Sequence, residues 1–313
     1  MITAADAPLL AGEGRITIVW EGPADVPALT FVNCPEVTLK RVDFVCRTDC
    51  YAAFVFKRQD RDMGARPATL PCLEDVRFFG EGKLRWPVKF VYADQDANNE
   101  HGVFLRCSFY GFSEYAVDIE GKQSKEHRFY QCRSEGGRGA VRAPSSFVWE
   151  GGTISGASHA AFLLHGGGGD RVVIRDVGIE ASVRALLTSE ATTAGWKLTL
   201  DNVRFAADQL AEDGDWVQCY STGPLTVRDC QIGGGGVPRI PTIGVAAMAP
   251  CHVSVQDNFF DAFGAHEVCP VRTLPGGRVI VSWGLNHYRK AANDAVNCVT
   301  LGAWGLQSNG AAI

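Results

Sequence analysis

Val37-Thr-Leu39-Lys-Arg-Val42-Asp-Phe44, Leu198-Thr-Leu200-Asp-Asn-Val203-Arg-Phe205, Leu225-Thr-Val227-Arg-Asp-Cys230-Gln-Ile232 and Val253-Ser-Val255-Gln-Asp-Asn258-Phe-Phe260 are four copies of one pattern. Each reads apolar, polar, apolar, two polar or turn-forming residues, apolar, polar, apolar. A period of two sends successive side chains to opposite faces of a strand and does not fit a helix. The polar pair suits a tight bend, because Asp and Asn tolerate a left-handed backbone and bond their own turn. The copies recur about every 26 residues, the length of one solenoid rung, and a rung buries its apolar face only against its neighbours.

Carried outward, the last apolar position falls at Phe44, Phe78, Phe109, Ser134, Ile154, Ile179, Phe205, Ile232, Phe260 and Asn286. Earlier in the same rungs stand Leu39, Leu73, Phe104, Phe129, Trp149, Ile174, Leu200, Val227, Val255 and Val281, an unbroken apolar column. A second strand is expected in most rungs, at Tyr115–Ile119, Ala161–Leu164, Arg184–Leu187, Trp216–Tyr220, Gly244–Met248 and Val268–Val271, followed by a looser return. The long early steps place insertions around Lys57–Pro71 and Glu81–Glu100, and Ala207–Gly214 is a further candidate insertion. The fold class is therefore all-β, a right-handed parallel β-helix of about ten or eleven coils. It should span residues 16–301, opening with a strand at Ile16–Trp20, between a short segment 1–15 and a tail 302–313. Neither end offers a capping helix, so other subunits or domains are expected to cover the open strand edges, or the chain is expected to be a fragment, or else a short strand or loop folds over each end.

The 313 residues are 46% hydrophobic, enough for a sizeable core, and the abundance of Gly (35) suits short strands between turns. A net charge of −5 and the lack of a basic face exclude an ordinary nucleic-acid binder. No apolar run reaches the roughly 18 residues of a spanning helix, and the first residues do not read as an export signal. The 11 cysteines form no CxxC pair; Cys107, Cys132 and Cys230 occupy the slot held by Val42, Val76 and Val203. Buried, reduced thiols are expected, hence synthesis in a reducing cytoplasm.

The rungs, the Asp/Asn bends and phrases such as Gly102-Val-Phe-Leu-Arg-Cys107-Ser-Phe109-Tyr-Gly-Phe and Phe129-Tyr-Gln-Cys132 resemble the pectate-lyase-like superfamily of parallel β-helices, most of all bacteriophage tailspike and tail-associated proteins. That resemblance implies a virion-associated homotrimer that recognises a surface polysaccharide and in some cases cuts it. It does not extend to the catalytic motifs of polygalacturonases or pectate lyases: of the former only Leu164-His165-Gly166 is present.

Candidate chemistry comes from the residues themselves. Glycoside hydrolysis needs two carboxylates about 5 to 9 Å apart. In Val117-Asp118-Ile119-Glu120 the apolar residues should point inward, leaving Asp118 and Glu120 on one outward face, about 7 Å apart along the strand. Arg142 should lie level with Asp118 on the next rung. Asp118, Glu120 and Glu150 are thus the candidate catalytic groups, and Arg142, Trp149 and His165 the candidate substrate-binding groups, although the repeat column puts Trp149 in a core slot. His127 aligns with Val37 and is expected to be buried rather than a general base. Asp94–Glu100 is rich in oxygen ligands but lacks calcium-loop spacing, so no metal site or other cofactor is assigned and Ca²⁺ is only weakly supported. Three functions follow: a polysaccharide-recognition β-helix, a glycan hydrolase or lyase, and a non-catalytic structural shaft.

Overall fold

The computed structural model describes residues 2–3, 9–10, 14–34, 36–58, 70–92, 99–121, 124–166, 170–189, 195–206, 214–233, 242–245, 251–261, 271–273, 278–289 and 304–308. Among these residues there is no helix. The chain forms two compact units, Met1–Ile154 and Ser155–Ile313.

The first unit is wound in coils of three strands, and each strand pairs in parallel with its equivalent in the next coil. Sheet A stacks Glu36–Lys40, Leu70–Glu74, Val103–Leu105 and the start of His127–Gly136. Sheet B stacks Ile16–Trp20, Val42–Cys46, the start of Arg77–Tyr92, Ser108–Phe112 and the end of His127–Gly136. Sheet C stacks Pro27–Val32, Cys50–Arg58, the end of Arg77–Tyr92, Tyr115–Ile119 and Gly139–Ala143.

The second unit repeats the plan in sheets A′, B′ and C′. Sheet A′ runs from Arg171–Arg175 through Lys197–Asp201, Leu225–Arg228 and Cys251–Gln256 to Arg278–Trp283. Sheet B′ runs from Gly178–Glu180 through Arg204–Ala206, Gln231–Gly233 and Phe259–Asp261 to His287–Arg289. Sheet C′ runs from Phe162–Leu164 through Leu186–Thr188, Asp215–Cys219 and Thr242–Val245 to Val271–Thr273. Each unit is a parallel β-helix. The stretch after the bend is a stacked strand of its own, so a coil has three strands where at least two were expected, and among the described residues the return after the third is without strand, as anticipated.

The bend between the first two strands is the repeated local device. Arg41, Asp75, Arg106 and Gln131 in the first unit, and Asp176, Asn202, Asp229 and Asp257 in the second, all have φ between 50° and 56°. That left-handed conformation costs an L-residue roughly 1–2 kcal/mol. The bend recovers part of this by aiming its N–H at the next coil. Asp75 donates to the Leu105 carbonyl at 2.9 Å and Arg106 to that of Tyr130 at 2.8 Å. Asp176 donates to Asp201 and Asn202 to Arg228, both at 3.0 Å. The Trp149-Glu150-Gly151-Gly152 coil uses glycine here: Gly151 and Gly152 have φ of 72° and 82°, and a Cβ on Gly152 would stand 1.9 Å from the Cys132 carbonyl oxygen.

The expected apolar column is buried at all ten positions. Register pairs Leu39 with Leu73, Leu73 with Phe104 and Phe104 with Phe129 in the first unit, and Ile174, Leu200, Val227 and Val255 in succession in the second. Phe104 stacks on Phe129 with centroids 4.6 Å apart, and Phe129 on Trp149 at 5.1 Å. Ser134 holds its expected place beside Phe109. The last rung was misread by two residues: Val255 pairs with Trp283, not Val281, and Phe260 with Tyr288, not Asn286. A slip of two keeps every side chain on its own face, so alternation alone does not resolve it.

Asn286 belongs instead to the slot after the bend, above Asn258. There the Asn258 amide donates to Asn286 Oδ1 (2.9 Å) and to the Val227 carbonyl (3.0 Å), while its Oδ1 accepts the Cys230 N–H (2.9 Å). Both asparagines are fully buried, and these bonds offset the cost of burying an amide.

Two other expectations change, while the expected burial of free thiols holds among the described residues. Glu81–Glu100 is not an insertion loop over its first part, because Arg77–Tyr92 is one long strand serving sheets B and C; residues 93–98 lie outside the described residues, as do 59–69, 207–213 and 268–270. At one edge no second subunit is needed: Trp304–Ser308 pairs antiparallel with Arg278–Trp283. The nine described cysteines are free thiols, all buried except the partly exposed Cys72; Cys269 and Cys298 lie outside the described residues.

The bend is testable at Asp229, which is exposed and left-handed. Asp229→Val should lower unfolding free energy by about 1–2 kcal/mol in denaturant titration, and Asp229→Gly should change it by less than about 0.5 kcal/mol.

Candidate functional site

The strand Tyr115–Ile119 alternates as expected, with Tyr115, Val117 and Ile119 in the core. Asp118 points the other way and, as anticipated, is level with Arg142 on the following coil. On the preceding coil its register partner is Lys89, which in turn pairs with Val55. The outward face of sheet C therefore carries a column Val55, Lys89, Asp118, Arg142, with one carboxylate between two cations.

Asp118 is not an open surface carboxylate: it is fully buried. Lys89 Nζ lies 2.7 Å from Asp118 Oδ2 and 2.5 Å from Glu120 Oε1, so a single ammonium fills the gap between the two carboxylates. Arg142 Nη1 is 3.3 Å from Asp118 Oδ1, an ion pair without hydrogen-bond geometry, and Oδ1 accepts no hydrogen bond. Burial pulls the Lys89 pKa down, but the charges and hydrogen bonds of Asp118 and Glu120 outweigh it and the net shift is upward.

Beside this cluster Lys89 Nζ sits 4.4 Å from the Trp86 ring centroid, and the Arg85 guanidinium carbon 4.1 Å from it. Tyr51 meets Trp86 edge-on at 4.8 Å. Arg85 and Arg138 share Glu114 at 3.8 and 3.7 Å, distances of loose pairs. The side chains of Arg85, Arg138, Arg142 and Glu120 remain 53%, 47%, 37% and 33% exposed, within reach of a ligand.

The other candidates do not join this cluster. Trp149 is fully buried and donates to the Gly151 carbonyl at 3.0 Å, so its ring face is not offered to a sugar. Glu150 is half-buried on the strand Phe147–Ser155, and His165 is half-buried just after Phe162–Leu164. In the oxygen-rich stretch, residues 94–98 lie outside the described residues. Its described Asn99 is buried and donates to the Val91 carbonyl at 3.1 Å. Among the described residues no group of three or more His, Cys, Asp or Glu has metal-site geometry.

His127 occupies the core slot of Val37, and the column between them runs through Pro71 and Gly102. The glycine is necessary there, because a Cβ would stand 2.6 Å from His127 Nδ1. Fully buried against Phe90, His127 titrates at about 3: desolvation dominates, the Asn99 backbone opposes it weakly, and the His101 charge adds to it. A ring with so low a pKa stays neutral near pH 7, is too weak a base to take a proton from a substrate, and is out of a substrate's reach.

Sequence reasoning missed Lys89, Trp86, Arg85 and Tyr51. Lys89 lies in the stretch read as an insertion; alternation in Val88-Lys89-Phe90-Val91 was the available signal. No protein-family model matches the chain, and no curated protein is found to be a relative.

Two outcomes follow. Lys89→Met leaves Asp118 buried without its ammonium and should cost about 3–5 kcal/mol of unfolding free energy, most of it recovered in a Lys89→Met/Asp118→Leu double variant. His127 is neutral in the fold down to about pH 3, whereas the unfolded chain takes up the proton near 6.5. Its contribution is therefore intact above pH 6.5 and is lost as pH falls toward 3, at up to about 1.4 kcal/mol per pH unit. Urea titrations between pH 7 and 5, above the carboxylate range, should show this slope in the native chain and not in His127→Leu.

Proposed function

We propose that this chain is a glycan-recognition β-helix that binds an extended surface polysaccharide on the outward face of sheet C. One observation carries the reading: Arg85, Arg138, Arg142 and Glu120 stand accessible on successive coils, with Tyr51 half-buried and Trp86 buried beside them. Coils repeat at about 4.8 Å, so a polymer lying across them meets hydrogen-bonding side chains at regular intervals. Arginine forks and a carboxylate suit the hydroxyl and acidic groups of sugars.

Cleavage between Asp118 and Glu120 is disfavoured, because the Lys89 ammonium occupies the space a glycosidic oxygen would need. Binding without cutting is the reading supported. A rigid, non-binding shaft is the second reading, favoured by the internal pairing of Asp118 and the core position of Trp149. The resemblance to tailspikes adds a homotrimer to the proposal.

A glycan array with purified protein tests it. Binding to at least one surface polysaccharide is expected, weakened at least about tenfold by Arg142→Ala, with no new reducing ends or unsaturated uronates. Silence across the array favours the shaft. The trimer predicts three times the 33.8 kDa chain mass in solution, and a monomer overturns it.

A further inference from the structure

The Lys89–Asp118 pair has a chemistry of its own, independent of any ligand. Nζ and the Asp118 carboxyl are in direct register on adjacent strands, 2.7 Å apart, and both groups are withdrawn from water. A second carboxylate, Glu120, touches the same nitrogen at 2.5 Å, and the Trp86 ring flanks it. The other Asp118 oxygen accepts no hydrogen bond and faces Arg142 at 3.3 Å. An amine, a carboxyl, a proton carrier and a cation beside the future carbonyl oxygen are therefore preassembled.

We propose that Lys89 and Asp118 condense into an intramolecular isopeptide bond that covalently joins two coils, with Glu120 as the proton carrier and Arg142 beside the retained oxygen. The step balances without oxidant or cofactor. Lys89 passes one proton to Glu120, which hands it to Asp118 Oδ2. The freed Nζ lone pair attacks Cγ, and the carbonyl electron pair moves onto Oδ1 next to Arg142. Nζ then loses a second proton through Glu120 to Oδ2, which leaves as water. One C–N bond forms, one C–O bond breaks, and Glu120 ends as it began.

The energetics favour the product. An ammonium and a carboxylate removed from water carry a desolvation penalty, and condensation replaces both charges with one neutral amide. Fixed register holds the partners as an intramolecular pair, which supplies the large effective concentration that an ordinary amine and carboxylate lack. Burial works to strip the Lys89 proton while the two carboxylates retain it. Moving that proton to Glu120 neutralises one of them.

Intact mass spectrometry of the denatured full-length chain tests this directly. The expected mass is below the sequence mass by one water, with a digest fragment in which Lys89 is linked to Asp118. Glu120→Gln should abolish most of the cross-link, since losing a positioned proton carrier slows such a step by about 100-fold or more. The full sequence mass in the native chain, or a water loss that maps elsewhere, overturns the proposal. A cross-link undiminished in Glu120→Gln overturns the role given to that residue. Should the variant not fold, the native mass alone decides.

Discussion

Everything in both units hangs on one backbone constraint, a left-handed residue at the first bend of successive coils whose N–H bonds to the next coil. At Asp75, Arg106, Asp176 and Asn202 the chain turns sharply and is tied to its neighbour by the same amide. The bend sets where the next strand starts, and so it sets register. With register fixed, each side chain stacks on its counterpart, and stability is a sum of neighbour-to-neighbour interfaces. Columns thus behave as units. Where one coil carries His127, the adjacent residue of that column is Gly102; where Asn258 enters an apolar slot, Asn286 follows it.

The same rule governs the outward face. Asp118 is not an isolated acid on a strand but the middle of a column whose neighbours are both cations. In-register stacking at strand spacing brings Lys89 close enough to fill the gap between Asp118 and Glu120. A pair of acids that looks catalytic along one strand becomes a neutralised cluster once the adjacent coil is in place. What remains accessible is the rim: Arg85, Arg138, Arg142 and Glu120.

The fold was legible because its signals are local and repeated. The alternation at Val37–Phe44 and the polar pair Lys40-Arg41 encode strand, bend and strand directly, and ten repetitions override the irregular copies. Two things were hidden. A two-residue slip at Val279–Trp283 preserves the apolar face, so only pairing distinguishes Val281 from Trp283 as the partner of Val255. The continuation of Arg77–Tyr92 through Gly80 and Gly82 resembled a loop in composition, although its second half is a strand of sheet C. That second error removed Lys89 from view, and the candidate site was misjudged with it. The level pairing of Asp118 with Arg142 and the core positions of Trp149 and His127 were readable, since each follows from counting along rungs already in register.

In-register parallel stacking of coils is the central claim, and backbone NMR tests it most directly. In a perdeuterated, amide-labelled sample, the account predicts interstrand contacts linking the backbones of Phe104 with Phe129 and of Leu200 with Val227, with no runs of sequential helical amide contacts in these segments. Contacts from these strands to non-equivalent positions, or an antiparallel pattern between them, would contradict it.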